Sequence, residues 1–224
     1  MPRRKPAAKP KTLPPEGPAT DLRIVGGSMR GRKLAPALCE DDGDPVTRPM
    51  KHRVREAIFN LVGMRAKGTH ALDLFAGTGA LGLESISRGA DWATFIERHI
   101  PTAAIVKQNM ASLGVVDRCD LLTTSAFLWA KRDLPKGAAA WSAGPADAPW
   151  LAFVSPPYRF YQEREAEMRA LVAALQAHSP AGSMVVVESD QQFDPGTLET
   201  PGDDPWDVRV YPPAVVGVWT KASR

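Results

Sequence analysis

Cysteine is nearly missing from this chain: only Cys39 and Cys119 occur, too few and too isolated for a disulfide framework or a zinc site. Long apolar runs are missing as well, none approaching the ~18–20 residues that span a bilayer. The basic, proline-rich start carries no apolar h-region, so no secretory leader is expected. An excess of charge of one sign is missing too. The net charge is only +3, so any attraction to nucleic acid must come from where the cations sit. These absences point to a reduced, cytoplasmic protein with no metal and no membrane partner. What is present is ordinary for a globular chain, with 44% hydrophobic and 24% charged residues. Its 224 residues give room for one domain with a sizeable core and a short extension, with monomer as the default state.

Residues 71–82, Ala-Leu-Asp-Leu-Phe-Ala-Gly-Thr-Gly-Ala-Leu-Gly, organise the rest. Leu72, Leu74 and Phe75 surround Asp73, and Gly77 and Gly79 then turn the chain into an apolar helical run. That pattern predicts a buried first strand, a tight glycine turn and a helix N-terminus. Glycines let a ligand approach the main chain, and the helix end offers unpaired N–H groups. Gly77, Gly79 and Gly82 spell G-x-G-x-x-G, with Glu97 near the spacing of a ribose-binding acid, so a dinucleotide site is one reading. Asp73 opposes it, because a carboxylate at the strand end would repel a pyrophosphate. S-adenosylmethionine carries a sulfonium and an ammonium and no phosphate, and suits that acid. Phe75 and Ala76 belong to the same candidate cofactor loop.

Residues 1–20 are basic and rich in proline and alanine, and predict a disordered tail. Residues 21–46 read as a small extension: a hairpin over 22–34 with Gly26-Gly27 at its turn, then an acidic loop. Its Arg23, Arg30, Arg32 and Lys33 suit a phosphate backbone, as does Arg53 further on. Residues 47–224 form the main domain. A helix carries Val54, Ile58, Leu61 and Val62 on one stripe with Arg53 and Arg55 off it, and Thr47 and Arg48 at its start lie near the cofactor loop. Strands follow at 93–97, ending in Glu97, and at 120–127, whose end at Ser125 and Ala126 borders the adenine position. Residues 136–149 read as an insertion looping out. Trp150–Val154 is a fourth strand running into Ser155-Pro156-Pro157-Tyr158, where two prolines end the ladder and fix an aromatic at the carboxyl edge. A helix at 165–177, an apolar strand at 183–188 and a closing hairpin at 206–220 complete an α/β sheet with one antiparallel edge.

These residues resemble the RsmD family of bacterial 16S rRNA guanine-N2 methyltransferases. The resemblance runs from Leu22 onward. It rests on Arg23-Ile-Val-Gly-Gly with Arg30-Gly-Arg-Lys-Leu, on Thr47-Arg-Pro, on Arg53-Val-Arg-Glu-Ala-Ile-Phe-Asn, on the 72–84 stretch and on Val154-x-Pro-Pro-Tyr. It implies a Rossmann-like class I fold with seven strands, mostly parallel, and helices on both faces. It also implies S-adenosylmethionine as donor and the exocyclic amine of a guanine in small-subunit rRNA as acceptor. Two positions depart from the family pattern. Ser155 stands where the family usually carries Asp, and a polar Asn or Asp is usual near Ser125. A serine hydroxyl still accepts a hydrogen bond but brings no charge and less reach.

On that reading Ser155, Pro156, Pro157 and Tyr158 form the catalytic turn. Acceptors at Ser155 Oγ and the Pro156 carbonyl localise the amine lone pair, and Tyr158 stacks on an unpaired or flipped base. No strong general base is required, and His52 is assigned to the surface. Three rivals remain: a degenerate rRNA-binding protein, an NAD-linked dehydrogenase, and an amino-methyltransferase acting on adenine or a protein amide. The dehydrogenase leaves Ser155 to Tyr158 without a role.

Overall fold

In the computed structural model residues 22–36, 52–202 and 204–222 are described. The expectations for the tail at 1–20, the loop at 40–45, Cys39, Thr47 and Arg48 lie outside them. The strands are β1 (His70–Asp73), β2 (Trp92–Ile96), β3 (Cys119–Leu122), β4 (Trp150–Val154), β5 (Met184–Asp190), β6 (Asp207–Tyr211) and β7 (Ala214–Thr220). The helices are α1 (His52–Val62), α2 (Ala80–Ser87), α3 (Ile100–Leu113), α4 (Ala126–Arg132), α5 (Phe160–Glu163) and α6 (Glu165–His178).

The strands form one seven-stranded sheet in the order β3-β2-β1-β4-β5-β7-β6. The first five in that order pair in parallel, and β7 and β6 add antiparallel to the edge. Period-two alternation explains how it is covered. Leu72, Trp150, Ala152, Val154, Val185 and Val187 face one side, packing with Phe127 and Trp129 of α4 and Met168, Leu171 and Leu175 of α6. Ala71, Ala93 and Phe95 face the other side, against Leu83 and Ile86 of α2 and Val106 and Met110 of α3. Leu151, Phe153, Met184 and Val186 share that second face with Val54, Ile58, Phe59 and Val62 of α1. The sheet reverses its winding between β1 and β4, and such a switch point opens a crevice at the carboxyl ends of the strands.

Four expectations are corrected by packing. Arg55 does not lie off the helix stripe. It is 1% exposed and donates to the Arg23 carbonyl at 2.5 Å, 3.9 Å from Glu84. The strand expected at 120–127 stops at Leu122, because Ser125 caps α4 and the chain turns helical at Ala126. The segment 136–149 does not loop out. Trp141 is buried, with its ring 5.1 Å from Trp129 and 5.9 Å from Trp150, and Ser142 donates to Asp120 at 2.6 Å. The N-terminal hairpin holds a single antiparallel bridge, Arg23 to Lys33, and turns through a 3-10 segment at Gly27–Met29.

That hairpin is tightly docked rather than appended. Ile24 and Leu34 join the α2–α3 core. Glu84 of α2, fully buried, accepts the Val25 and Gly26 N–H groups at 2.7 Å each and pairs with Arg88 at 2.9 Å. A Cβ on Gly27 would stand 1.9 Å from the Ser87 carbonyl oxygen, so only glycine permits this approach.

Candidate active site

The carboxyl edge collects the expected cofactor loop and catalytic turn, but not the cations of the N-terminal hairpin. Asp73 ends β1, in register with Phe95 of β2 and Phe153 of β4. Glu97 follows β2 and Ser155 follows β4, so the three stand at neighbouring strand ends across the switch point. Between them runs the glycine turn. Gly77 and Gly79 both adopt positive φ, 55° and 79°, which an L side chain would strain. Gly79 caps α2, and Gly82 lies on the face that meets β2. A Cβ there would come within 2.3 Å of the Phe95 ring.

The two acids are held differently. Both oxygens of Glu97 accept main-chain N–H groups, from Gly77 at 3.0 Å and His99 at 2.8 Å, leaving lone pairs free on each. Asp73, 2% exposed, accepts from the Gly82 N–H at 3.0 Å. Burial raises its pKa to about 7, helped by the Glu97 charge and opposed by the N–H groups of Gly82 and Leu81. Among the described residues no cation forms an ion pair with Asp73. A desolvated carboxylate without a counter-charge beside a glycine turn fits a cationic ligand and disfavours a phosphate.

Phe75 packs edge-on to Phe127 and Phe160, at 5.8 and 6.3 Å, and so steadies the turn. Ala76 donates its N–H to the Ile96 carbonyl at 3.1 Å, tying the loop to β2. Ser125, half-buried, and Ala126 open α4 at the same edge, with no hydrogen bond from the serine side chain to the helix.

The 155–158 turn holds the main surprise. Ser155 Oγ donates to Glu188 Oε2, and Tyr158 donates its hydroxyl to Glu188 Oε1 at 2.6 Å. Glu188 lies on β5, one residue beyond Val187, which is level with Val154. It is 5% exposed, and its own carbonyl accepts the Tyr161 hydroxyl at 3.0 Å. Burial raises the Glu188 pKa, against the lowering effect of the Ser155 and Tyr158 hydrogen bonds. Sequence reasoning passed over Glu188 as the end of an apolar strand. The signal was the one that marked Asp73 and Glu97: an acid directly after a run of apolar β residues. Pro156 is buried and Pro157 exposed, as a stiff outward turn requires.

The cationic residues are not all gathered there. Arg32 donates to the Leu113 and Ser112 carbonyls at the C-terminal end of α3, and Arg23 to Gly31 at 2.9 Å. The hairpin tip thus meets the C-terminal ends of α2 and α3, toward the opposite edge of the sheet from Ser155. Arg30, Arg32 and Lys33 are exposed on that flank, and Arg53 is exposed in the first turn of α1. Among the described residues no group of three or more His, Cys, Asp or Glu is placed to hold a metal ion, and no helix is long and apolar enough to cross a membrane.

The sheet order, the acids at the ends of β1 and β2 and the glycine turn between them define a class I methyltransferase fold. A profile of the family described as conserved hypothetical protein 95 matches residues 22–200. The Bacillus subtilis protein YlbH, named for rRNA methyltransferase activity, is 30% identical over 184 residues, 81% of this chain and 89% of that one. The Escherichia coli ribosomal RNA small subunit methyltransferase D is 33% identical over 138 residues, which span 62% of this chain and 61% of that protein. The solved structure of Escherichia coli yhhF, described as a methyltransferase, superposes with a TM-score of 0.67 at 25% identity, covering 91% of this chain and 99% of that one. This chain belongs to the RsmD family.

Proposed function

We propose that this protein transfers a methyl group from S-adenosylmethionine to the exocyclic N2 amine of a guanine in small-subunit ribosomal RNA, in the cytoplasm. The observation that carries the reading is the apposition of a cation-seeking acid, Asp73, with an acceptor turn, Ser155 to Tyr158, one strand apart at the switch point. When bound, the cofactor supplies an electrophilic methyl on a sulfonium. Asp73 would hold its cationic end, Glu97 its ribose hydroxyls, the Gly77–Gly79 main chain its backbone face, and Ser125–Ala126 its adenine edge.

The remaining chemistry belongs to the protein. A guanine N2 lone pair is delocalised into the ring and is a poor nucleophile. Acceptors aimed at its N–H groups, Ser155 Oγ and the Pro156 carbonyl, favour a pyramidal nitrogen with a localised pair. The Tyr158 ring offers a face for the base, which must leave its stack to reach the site. Positioning supplies most of the acceleration. The methylated nitrogen is acidic and sheds its proton afterwards, so no strong base is needed. Arg53 would meet RNA phosphates near the site. Arg30 and Lys33 lie on the α2–α3 flank, so a substrate touching both must be a folded RNA of some size, as a ribosomal particle is.

The test uses purified protein, labelled S-adenosylmethionine and small-subunit particles from a strain lacking this gene, with nucleosides resolved by mass spectrometry. Label in N2-methylguanosine is the expected result. Label in another nucleoside moves the target. Tight cofactor binding with no transfer to competent particles favours a degenerate binder, the reading to which Ser155 in place of an acid lends weight.

A further inference from the structure

We infer that Glu188 is a positioning residue for methyl transfer, holding the hydroxyl protons of Ser155 and Tyr158 so that Ser155 Oγ faces the acceptor amine as a hydrogen-bond acceptor only. The inference rests on the proposed reaction. A serine hydroxyl is donor and acceptor at once, and its proton rotates to whichever partner suits it. An amine offers N–H donors, so a serine free to turn its proton toward the site would meet donor with donor. Glu188 removes that freedom. Its two oxygens take the Ser155 and Tyr158 protons, one each, and the serine lone pairs are left for the substrate.

The geometry around Glu188 supports an orienting network rather than a structural ion pair. Ser155 approaches from the end of β4 and Tyr158 from the following turn. Across the sheet its register partner on β7 is Val216, and the next acid on its own strand is Asp190, which acts on Tyr158 and Tyr161. Among the described residues no cation pairs with it. Burying an acid is costly unless its oxygens are hydrogen-bonded, and here the bonds that meet that cost come from two hydroxyls of the acceptor turn and fix where their protons point. A negative charge behind Ser155 also polarises its O–H bond and makes Oγ a stronger acceptor. That gives the neutral serine part of the character an acid at this position would have.

Glu188→Gln is the informative change. An amide presents one acceptor and one donor, so it can hold only one of the two protons. The expected result is a fall in kcat of about 10- to 100-fold, the range of one charged hydrogen bond. Cofactor Kd should move less than about two-fold. In a Ser155→Ala background the same change should cost markedly less, because the group it acts through has gone. Equal losses in both backgrounds would overturn the inference, as would a loss of cofactor affinity matching the loss of kcat. An independent readout needs no turnover. In carbon-13 NMR of glutamate-labelled protein, the Glu188 carboxyl should titrate above the ordinary value of a glutamate and rise further in Ser155→Ala and in Tyr158→Phe. A Glu188 titration unmoved by either would refute the network, whereas wild-type protein that labels no guanine amine would refute the reaction and leave the network standing.

Discussion

Replacing Asp73 by Asn should make the protein more stable at alkaline pH and worse at holding its cofactor. Asp73 is 2% exposed, and its pKa stands at about 7 against an ordinary 3.8, chiefly because burial disfavours the charge. At ~1.4 kcal/mol for each tenfold change, that rise is worth about 4 kcal/mol. The sign follows from linkage. Between pH 3.8 and about 7 the native state binds the proton that the unfolded chain has lost. Stability from this group is therefore fully present below pH 3.8 and is lost as pH climbs to about 7, after which it is flat. Asn keeps an acceptor for the Gly82 N–H but buries an amide donor in need of a partner, a penalty of about 1–2 kcal/mol. The gain and the penalty cancel at about pH 5. At about pH 8.5 the variant should gain roughly 2 kcal/mol, or on the order of 5 °C in Tm for a domain of this size.

Binding should move the other way. Calorimetry at the same alkaline pH should show Asp73→Asn losing about 10- to 100-fold in S-adenosylmethionine affinity, the worth of a charge-assisted contact. In the wild type, affinity should weaken as pH falls below about 7, because Asp73 must release a proton to face a cation. In the variant that dependence should vanish. Urea unfolding across pH and calorimetry in buffers of different ionisation enthalpy read both effects. A variant less stable than wild type at alkaline pH, or wild-type affinity flat through neutral pH, would refute the reasoning.

Three further changes test the packing that holds the site. Gly82→Ala puts a Cβ 2.3 Å from Phe95 Cε1, and should cost about 1–3 kcal/mol in urea unfolding, with the glycine turn disturbed and cofactor affinity reduced. Glu84→Ala strips the Val25 and Gly26 N–H groups, Arg55 and Arg88 of their shared acceptor at a fully buried point. A loss of about 3–5 kcal/mol is expected, with faster hydrogen exchange confined at first to the hairpin. Trp141→Ala should cost about 3–5 kcal/mol if the 136–149 segment is core, as its contacts with Trp129 and Trp150 require, and near zero if it were a loose insertion.

Sequence and structure agree wherever a local pattern had one physical solution. Asp73 with Gly77 and Gly79, the helix that opens after Gly79 and the Trp150–Val154 strand before two prolines fall where periodicity and turn chemistry put them. The misses share a cause, since each depends on a partner far along the chain. Arg55 sits on the polar side of its helix by periodicity, yet Glu84 and the Arg23 carbonyl draw it inside. The 136–149 stretch has the composition of a loop, but its single tryptophan finds Trp129 and Trp150. Charge in the 22–34 hairpin was legible, whereas the spending of Arg32 on the end of α3 was not. Glu188 is the sharpest case. Its role is set by two hydroxyls about thirty residues upstream, and no local window contains both.

Two buried acids stand at the same sheet edge, and on the proposed function what surrounds each sets which half of the reaction it would serve. Asp73 receives main-chain N–H groups and no cation, so its charge stays uncompensated and its proton is held to about pH 7. An acid in that state is relieved by a proton or, above about pH 7, by a positively charged ligand. Glu188 is also buried, but hydroxyl donors occupy both oxygens, so its charge is already used inside the protein. It has little left for a ligand cation and acts instead on the two hydroxyls that donate to it. The two acids should therefore separate cleanly in kinetics. Removing the Asp73 charge should raise the cofactor Kd, and removing the Glu188 charge should lower kcat. A variant of either residue that moved both quantities together would mean that the edge is one site rather than two adjoining ones.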